Sequence, residues 1–355
     1  MDLSRAGTGL GSGFWAVVGD FEGRVLAWRF AEVERDVARD PPAALPRTPA
    51  AQVLDPRSAG SWCGPSPDSW SSSMQESAYV SGVRRIRRAV REGEVYQVNL
   101  CRVLSAPLAA TGGAEPDPAA LDARLAAGNP APYAGFVHVP AGGRLPPVWV
   151  VTASPELFLR VEGGVITSGP IKGTASTSDG LTDKDEAENV MIADMVRNDL
   201  QRVCVPGTVE VTDLLALERH PGLVHLVTTV QGRLTASRPD WSAILGATYP
   251  PASVSGAPKH AALAVIGALE PVPRGPYCGA VGWIDADAGR AELAVGIRTF
   301  WWTAAEGGRL RFGTGAGITW GSDAAAEWDE TVLKAHRLLA LASDPAAGRA
   351  DGGRG

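Results

Sequence analysis

A single lysine, Lys172, stands in the uncharged run Ile166-Thr167-Ser168-Gly169-Pro170-Ile171-Lys172-Gly173-Thr174, in what reads as a turn with Gly-Pro before it and Gly-Thr after it. Surface lysines normally keep polar company. Held by such neighbours in a partly closed site, the ammonium would lose solvation, its pKa would fall, and the amine could act as nucleophile or base. The same residues also suit a loop lysine that merely touches water. Two acid pairs offer a different chemistry. Glu327 and Glu330 stand at i, i+3 with Lys334 at i+7, on one face of a helical pattern, and Asp185 and Glu188 repeat the i, i+3 spacing after the lysine turn. Carboxylates one turn apart suit magnesium, a hard cation that takes oxygen ligands and often only one or two from protein. Two such helices could converge on one ion. The competing structural explanations are an exposed Glu330–Lys334 pair and a Thr182-x-x-Asp185 capping pattern.

Other residues point to an anion. Phe312-Gly313-Thr314-Gly315-Ala316-Gly317-Ile318 alternates glycine, which lets backbone N–H groups approach a ligand. It lacks the spacing of a dinucleotide fingerprint and suits a tight hairpin equally well. Ser253-Val254-Ser255-Gly256-Ala257-Pro258-Lys259 gathers hydroxyls, N–H groups and a lysine before a helix. Arg298 puts a guanidinium on an apolar strand, where it needs a carboxylate from the protein or from a substrate. His225 interrupts Leu223-Val224-His225-Leu226-Val227 and reads either as a satisfied core histidine or as a site residue. Arg84, Arg85, Arg87, Arg88 and Arg91 surround an apolar stripe and are expected to be a solvated helix face.

These residues need elements to hold them. Phe14–Val18 and Val25–Trp28 read as strands joined by a hairpin at Asp20–Gly23. Residues 37–72 are rich in Pro, Ser, Ala and Gly and are expected to form a long loop. Tyr79, Val83, Ile86 and Val90 mark a helix that Gly93 ends. Strands follow at Val95–Leu100, Phe136–Val139, Val148–Ala153, Leu157–Val161 and Val165–Thr167, with a short helix at Leu121–Ala127. Thr182 caps a helix running to about Leu200. Further strands are expected at Val209–Thr212, Val224–Gln231, Cys278–Asp285, Glu292–Trp302 and Leu310–Phe312, the last leading into a Gly-rich turn. Helices are expected at Trp241–Leu245, His260–Leu269 and Asp323–Ala342, the last with Trp328, Val332, Ala335 and Leu339 facing inward. Strands in adjacent clusters favour α+β with antiparallel sheets over a regular βαβ alternation.

The bulk properties narrow the function classes. A 355-residue chain with 45% hydrophobic and 20% charged residues is ordinary for a soluble globular protein. A net charge of −6 argues against a general nucleic-acid or anionic-membrane surface, so an anionic substrate would need local arginines, lysines or a metal. Cys63, Cys101, Cys204 and Cys278 are widely spaced and read as free thiols in a reducing compartment. The start lacks a signal-peptide pattern and no run approaches a membrane span. The expected location is the cytoplasm.

Longer motifs, in order, carry a resemblance. They are Glu94-Val95-Tyr96-Gln97-Val98-Asn99-Leu100, Asn129-Pro130-Ala131-Pro132-Tyr133, Ser154-Pro155-Glu156-Leu157-Phe158 and Pro170-Ile171-Lys172-Gly173-Thr174. Ala187-Glu188-Asn189, Met195-Val196-Arg197-Asn198-Asp199-Leu200, Ser255-Gly256-Ala257-Pro258-Lys259 and Gly315-Ala316-Gly317 with Glu327 and Glu330 complete the set. From about residue 75 to 342 the chain resembles the chorismate-utilising enzymes: anthranilate synthase component I, aminodeoxychorismate synthase component I, isochorismate synthase and salicylate synthase. The resemblance implies an α+β catalytic domain over residues 75–342, with two orthogonally packed antiparallel sheets flanked by helices and the site between them. Residues 1–74 would be a short divergent segment of the same fold, and 343–355 a disordered tail. It also implies Mg2+ held between the ring carboxylate of chorismate and Glu188, Glu327 and Glu330, with Asp185 nearby. Arg298, Tyr277, Lys334 and the amides of Gly315 and Gly317 match positions that hold the enolpyruvyl carboxylate, and His225 matches one near the ring carboxylate. Gln97 and Thr174 count with the substrate-binding positions, and Glu156 matches the general acid that protonates the departing 4-hydroxyl.

Two positions divide that family. Gln97 stands where isochorismate- and salicylate-forming members carry a water-activating lysine, which speaks for ammonia as nucleophile. Lys172 stands where most members have alanine, whereas in aminodeoxychorismate synthases a lysine in similar context is assigned to attack ring C2. The resemblance therefore implies aminodeoxychorismate synthase component I, fed with ammonia by a separate glutamine amidotransferase subunit and followed by an aminodeoxychorismate lyase. No nucleic-acid or membrane partner is expected. Anthranilate synthase component I is the alternative, and a catalytically silent homologue that binds chorismate or the amidotransferase is one of another class. There are departures. Ala175-Ser176 stand where members often have Pro-Arg, and Pro250-Pro251-Ala252 replaces a more glycine-rich lead. The element that binds tryptophan as feedback inhibitor is not found before residue 75, which puts that control in doubt, and no fused amidotransferase is expected.

Overall fold

The computed structural model describes residues 1–3, 10–34, 62–175, 178–220, 223–236 and 238–344. In chain order the first elements are β1 (Phe14–Gly19), β2 (Val25–Phe30), β3 (Ser71–Ser72), α1 (Glu76–Arg91), β4 (Gln97–Pro107), α2 (Pro118–Gly128), β5 (Tyr133–Val139) and β6 (Val148–Ser154). Next come β7 (Leu157–Glu162), β8 (Val165–Gly169), β9 (Ile171–Ala175), α3 (Asp183–Gln201), β10 (Glu210–His220), β11 (Leu223–Arg233) and α4 (Trp241–Thr248). The chain continues through β12 (Gly256–Ala257), α5 (Lys259–Leu269), β13 (Ala280–Asp285), β14 (Arg290–Val295), β15 (Thr299–Thr303), β16 (Arg309–Ile318) and α6 (Ala324–Ala342).

The strands form two antiparallel sheets, and the fold is α+β. One sheet runs β10-β11-β8-β7-β14-β13-β1-β2 with β9 also on β11, and the other runs β12-β4-β16-β15-β6-β5 with β3 on β4. The apolar run Val148–Ala153 is continuous because its sheet is buried on both faces. Trp149, Val151 and Ala153 pack with Phe300, Trp302, Leu310 and Phe312 against helix residues Leu121, Leu125 and Leu338, while Val150 and Trp301 face the main core. That main core is shared by both sheets with α1, α3, α4 and α5.

The chain passes between the sheets at two places that lie side by side. Pro155-Glu156 joins β6 of one sheet to β7 of the other, and Gly296-Ile297-Arg298 joins β14 to β15. Backbone bonds tie the crossings together: Val295 N–H to Glu156 O (3.0 Å) and Ala153 N–H to Arg298 O (3.0 Å). The Ser154 hydroxyl adds a bond to Val295 O (2.7 Å). The single strand expected over Glu292–Trp302 is therefore two strands in different sheets, and Arg298 sits at the corner with φ 52°. A hydropathy pattern has no term for a corner between two strands that are both apolar.

Three further expectations are corrected. The Gly-rich stretch after Phe312 is no turn or hairpin; it continues β16, paired with β4 from Arg309 to Ile318. Lys172 is on a strand, not in a turn. β8 and β9 both pair with β11, so Gly169-Pro170 bends one long strand rather than reversing it. On α6 the inward stripe is Ala324, Glu327, Thr331, Ala335, Leu338 and Ala342, whereas Val332 is exposed. The segments 35–61 and 345–355, expected as loop and tail, lie outside the described residues. Among the described residues no helix is long and apolar enough to cross a membrane.

Candidate active site

The crossings set the first site residue. Glu156 is only 4% exposed, fixed by its position between β6 and β7. The Ser253 hydroxyl and the Ile171 N–H donate to its carboxylate, and Lys172 lies within electrostatic reach. Burial is the largest influence on this acid and pushes it up to about 7, against the lowering pull of those three neighbours. A carboxyl poised there can hand over a proton near neutral pH.

Lys172 projects from β9 toward the opposite sheet. A Cβ placed on Gly317 would stand 2.5 Å from Gln97 Nε2 and 3.4 Å from Lys172 Nζ, so both side chains converge over Gly317 on β16. Glycine is needed there because any side chain would occupy the place they share. Gly313 is needed for a related reason: a Cβ there would fall 2.0 Å from the Tyr277 ring, which lies flat against β16 and is 5% exposed. Gly315 backs onto Cys101 Sγ at 2.5 Å from such a Cβ. The alternating glycines are thus a smooth floor, with Tyr277, Gln97 and Lys172 as its walls.

Charge surrounds that floor unevenly. Arg298 is held at its corner in a left-handed backbone conformation, which costs a non-glycine residue about 1 kcal/mol or more. Burial alone pulls its guanidinium below the usual range, and among the described residues no carboxylate pairs with it. Lys334 bonds Glu330 at 2.5 Å and donates to Gly315 O at 3.2 Å. The structure thus realises the Glu330–Lys334 helix pair and at the same time brings Lys334 to the glycine floor.

Glu327 lies on the buried stripe of α6 at 4% exposure, and it acts with Glu330 and Cys101 to hold the buried Tyr79 phenol well above its usual range, burial being the larger cause. Glu188 is half-buried on α3, with Oε1 shut away from solvent. Its neighbour Asn189 anchors α3 to β11, donating to Leu226 O at 3.0 Å and accepting from the Thr228 hydroxyl. Asp185 closes the capping box with Thr182, accepting from its N–H at 2.9 Å and its hydroxyl at 2.7 Å. The capping explanation for Asp185 holds. His225 is buried on β11 directly opposite Thr174 of β9, whose side chain lies outside the described residues.

One predicted anion loop dissolves into structure. Lys259 pairs with Asp199 at 2.7 Å and the Ser255 hydroxyl bonds Pro251 O at 3.1 Å, which leaves Ser253 to reach Glu156. The sequence offered Ser253 but not its target, and Asn99, present there only within a motif, donates to Cys101 Sγ at 3.2 Å beneath the floor. No spacing rule links Ser253 to Glu156, about a hundred positions away.

The acids expected at a metal are of a type that suits magnesium, a hard cation that takes oxygen ligands. Glu188, Glu327 and Glu330 offer only carboxylate oxygens, and among the described residues no three acidic, His or Cys side chains close a cage on their own. A cation that keeps several waters and takes other oxygens from its substrate needs no such cage.

Known proteins show which family the chain belongs to. The model of the chorismate binding enzyme family matches residues 36–340. The chain belongs to that family. It is 36% identical to anthranilate synthase component 1 of Streptomyces coelicolor, over 83% of this chain and 58% of that relative. It is 35% identical to aminodeoxychorismate synthase component 1 of Salmonella typhimurium, over 76% of this chain and 58% of that relative. It thus spans less than two-thirds of the length of these curated relatives. Among solved structures, anthranilate synthase component I of Streptococcus pneumoniae superposes with TM-score 0.66 at 29% identity, over 79% of this chain and 60% of that one. A 2,3-dihydroxybenzoate-specific isochorismate synthase from Bacillus anthracis superposes with TM-score 0.71 at 22% identity, covering 92% and 84%, which speaks to the fold.

Proposed function

We propose that this protein is a component I enzyme that converts chorismate and ammonia to 4-amino-4-deoxychorismate, with the ammonia delivered by a glutamine amidotransferase subunit and the product passed to a lyase that forms 4-aminobenzoate. The observation that carries this reading is the convergence of Lys172 and Gln97 over Gly317, with Glu156 beside the lysine. An amine nucleophile and a carboxyl acid at one place suit displacement of a hydroxyl, which leaves poorly unless protonated. Gln97 carries no base that would activate water. Chorismate is a dianion, and Arg298 with the Gly315 and Gly317 amides would take the enolpyruvyl carboxylate, Tyr277 and Lys334 flanking it. Glu188, Glu327 and Glu330 would hold Mg2+, with Asp185 and His225 nearby; the ion would neutralise the ring carboxylate among these acids.

Arg298→Ala should raise the KM for chorismate roughly ten- to hundredfold with kcat much less affected, because a charged hydrogen bond to substrate is lost. Steady-state kinetics check this, and an unchanged KM would remove Arg298 from the substrate.

The function itself is tested by incubating the protein with chorismate, Mg2+ and ammonium. A product that yields 4-aminobenzoate only after a lyase is added supports the proposal. Fluorescent anthranilate appearing directly would instead favour the second reading, anthranilate synthase component I, since this chain is as similar to the Streptomyces anthranilate synthase as to the Salmonella aminodeoxychorismate synthase. No turnover even at high ammonia would return the chain to a silent binding homologue.

A further inference from the structure

A cavity lies away from this site. It has a volume of about 680 Å³ and lies between the β1–β2 turn, α4, α5 and the segment Pro271-Val272-Pro273. That volume falls in the range of small-molecule sites. Phe21, Leu245, Tyr249 and Ile266 give it flat apolar walls, and its charged wall residues are Glu22 and Glu270. None of the residues assigned above to catalysis or substrate binding lines it.

The two carboxylates differ. The Glu270 side chain, 6% exposed, is committed, accepting from the Cys101 N–H at 2.8 Å and from Arg274 at 2.6 and 2.8 Å. Glu22 is exposed; it accepts the Arg274 N–H at 2.7 Å and the Gly275 N–H at 3.2 Å, and carboxylate oxygens have lone pairs beyond these. With no lysine or arginine on the described wall, an anionic guest meets only like charge, and a cationic one meets Glu22.

The wall is also wired to the site between the sheets. The Arg274 guanidinium stacks 3.9 Å over the Phe21 ring and donates to Val254 O at 2.9 Å and Asn99 O at 2.7 Å. Val254 follows Ser253, the donor to Glu156, and Asn99 pairs with Gly317 across β4 and β16. A guest that shifts Phe21 or Glu270 must also shift the backbone that carries the acid's partner and the glycine floor.

We propose that this cavity is a second ligand site for a flat, apolar or aromatic molecule bearing one ammonium group, coupled through Arg274 to the site between the sheets. The binding claim stands independently; the coupling rests on the function proposed above.

Calorimetric titration with naphthylethylamine tests the binding, with the isosteric naphthylpropionate as the anionic control. Gly246 and Gly267 line the cavity, and a Cβ on either meets nothing within 4 Å, so Gly246→Leu and Gly267→Leu are the substitutions chosen to fill it. The amine should bind saturably to the wild type, several-fold more weakly to Glu22→Gln, and not to either filled variant. No binding to the wild type, binding that survives both filled variants, or equal binding of the propionate overturns the site. For the coupling, saturating amine should change the KM for chorismate about fivefold or more in the wild type, and not in Gly246→Leu. An unchanged KM overturns the coupling. If the protein turns nothing over, the functional reading fails, and the amine's affinity with and without chorismate still reads the coupling, because linkage is reciprocal.

Discussion

Lys172→Ala is expected to lower 4-amino-4-deoxychorismate formation at least about a hundredfold, with the melting temperature nearly unchanged. The side chain is half-buried on β9 and belongs to neither hydrophobic core, so its loss removes chemistry rather than packing. In the proposed sequence the neutral amine forms a bond to ring C2, both ring double bonds shift (C1=C2 to C1=C6 and C5=C6 to C4=C5), and the C4–O bond breaks as Glu156 supplies the proton that lets water leave. Ammonia then bonds C4, both double bonds shift back, and the C2–N bond of the ammonium adduct breaks to return the neutral lysine, while a proton from the new C4 ammonium restores Glu156. Lys172→Arg keeps the charge but not the nucleophile and should fail equally. Rapid-quench mass spectrometry of the wild type should find protein heavier by chorismate less water, and both variants should lack this species. A Lys172→Ala protein with the full rate would sink the covalent role.

Glu156→Gln should lower kcat by roughly 10²–10⁴, the usual worth of a positioned general acid. Its pH dependence is the sharper test. Burial holds this carboxyl protonated up to about 7. The acid is the working form, so the rate should fall as pH rises through about 7, once free ammonia is held constant. Glu156→Gln should lose that limb. Ser253→Ala removes a hydrogen bond that favours the ionised form, so the limb should move to higher pH. A limb indifferent to both substitutions would assign the titration to another group.

Much of the fold was legible because local patterns carry it. The stripe Tyr79, Val83, Ile86 marked α1, Thr182 and Asp185 announced the start of α3, and Asp323 caps α6 by accepting from Ala325 and Ala326 N–H groups. These signals act within one turn of helix, where chain neighbours decide. The errors share one cause. On α6 the apolar residues Val332 and Leu333 face solvent while Glu327 and Thr331 are buried, since the helix turns its polar stripe toward the site it helps to form. The strand over 292–302 was divided because two sheets claim its halves, and the glycine run became strand because β4 pairs with all of it.

By itself the sequence determined most element types, the antiparallel α+β class and the ordered motifs that mark the chorismate-binding family. The elements and the class follow from short-range periodicity, capping and residue chemistry, and the family from the resemblance that the motifs carry. Only the tertiary structure decided that Lys172 of one sheet meets Gln97 and Gly317 of the other, that Glu156 and Arg298 occupy neighbouring crossings, and that Ser253 serves the acid. Those pairings join positions far apart in the chain, and sheet closure alone brings them within reach.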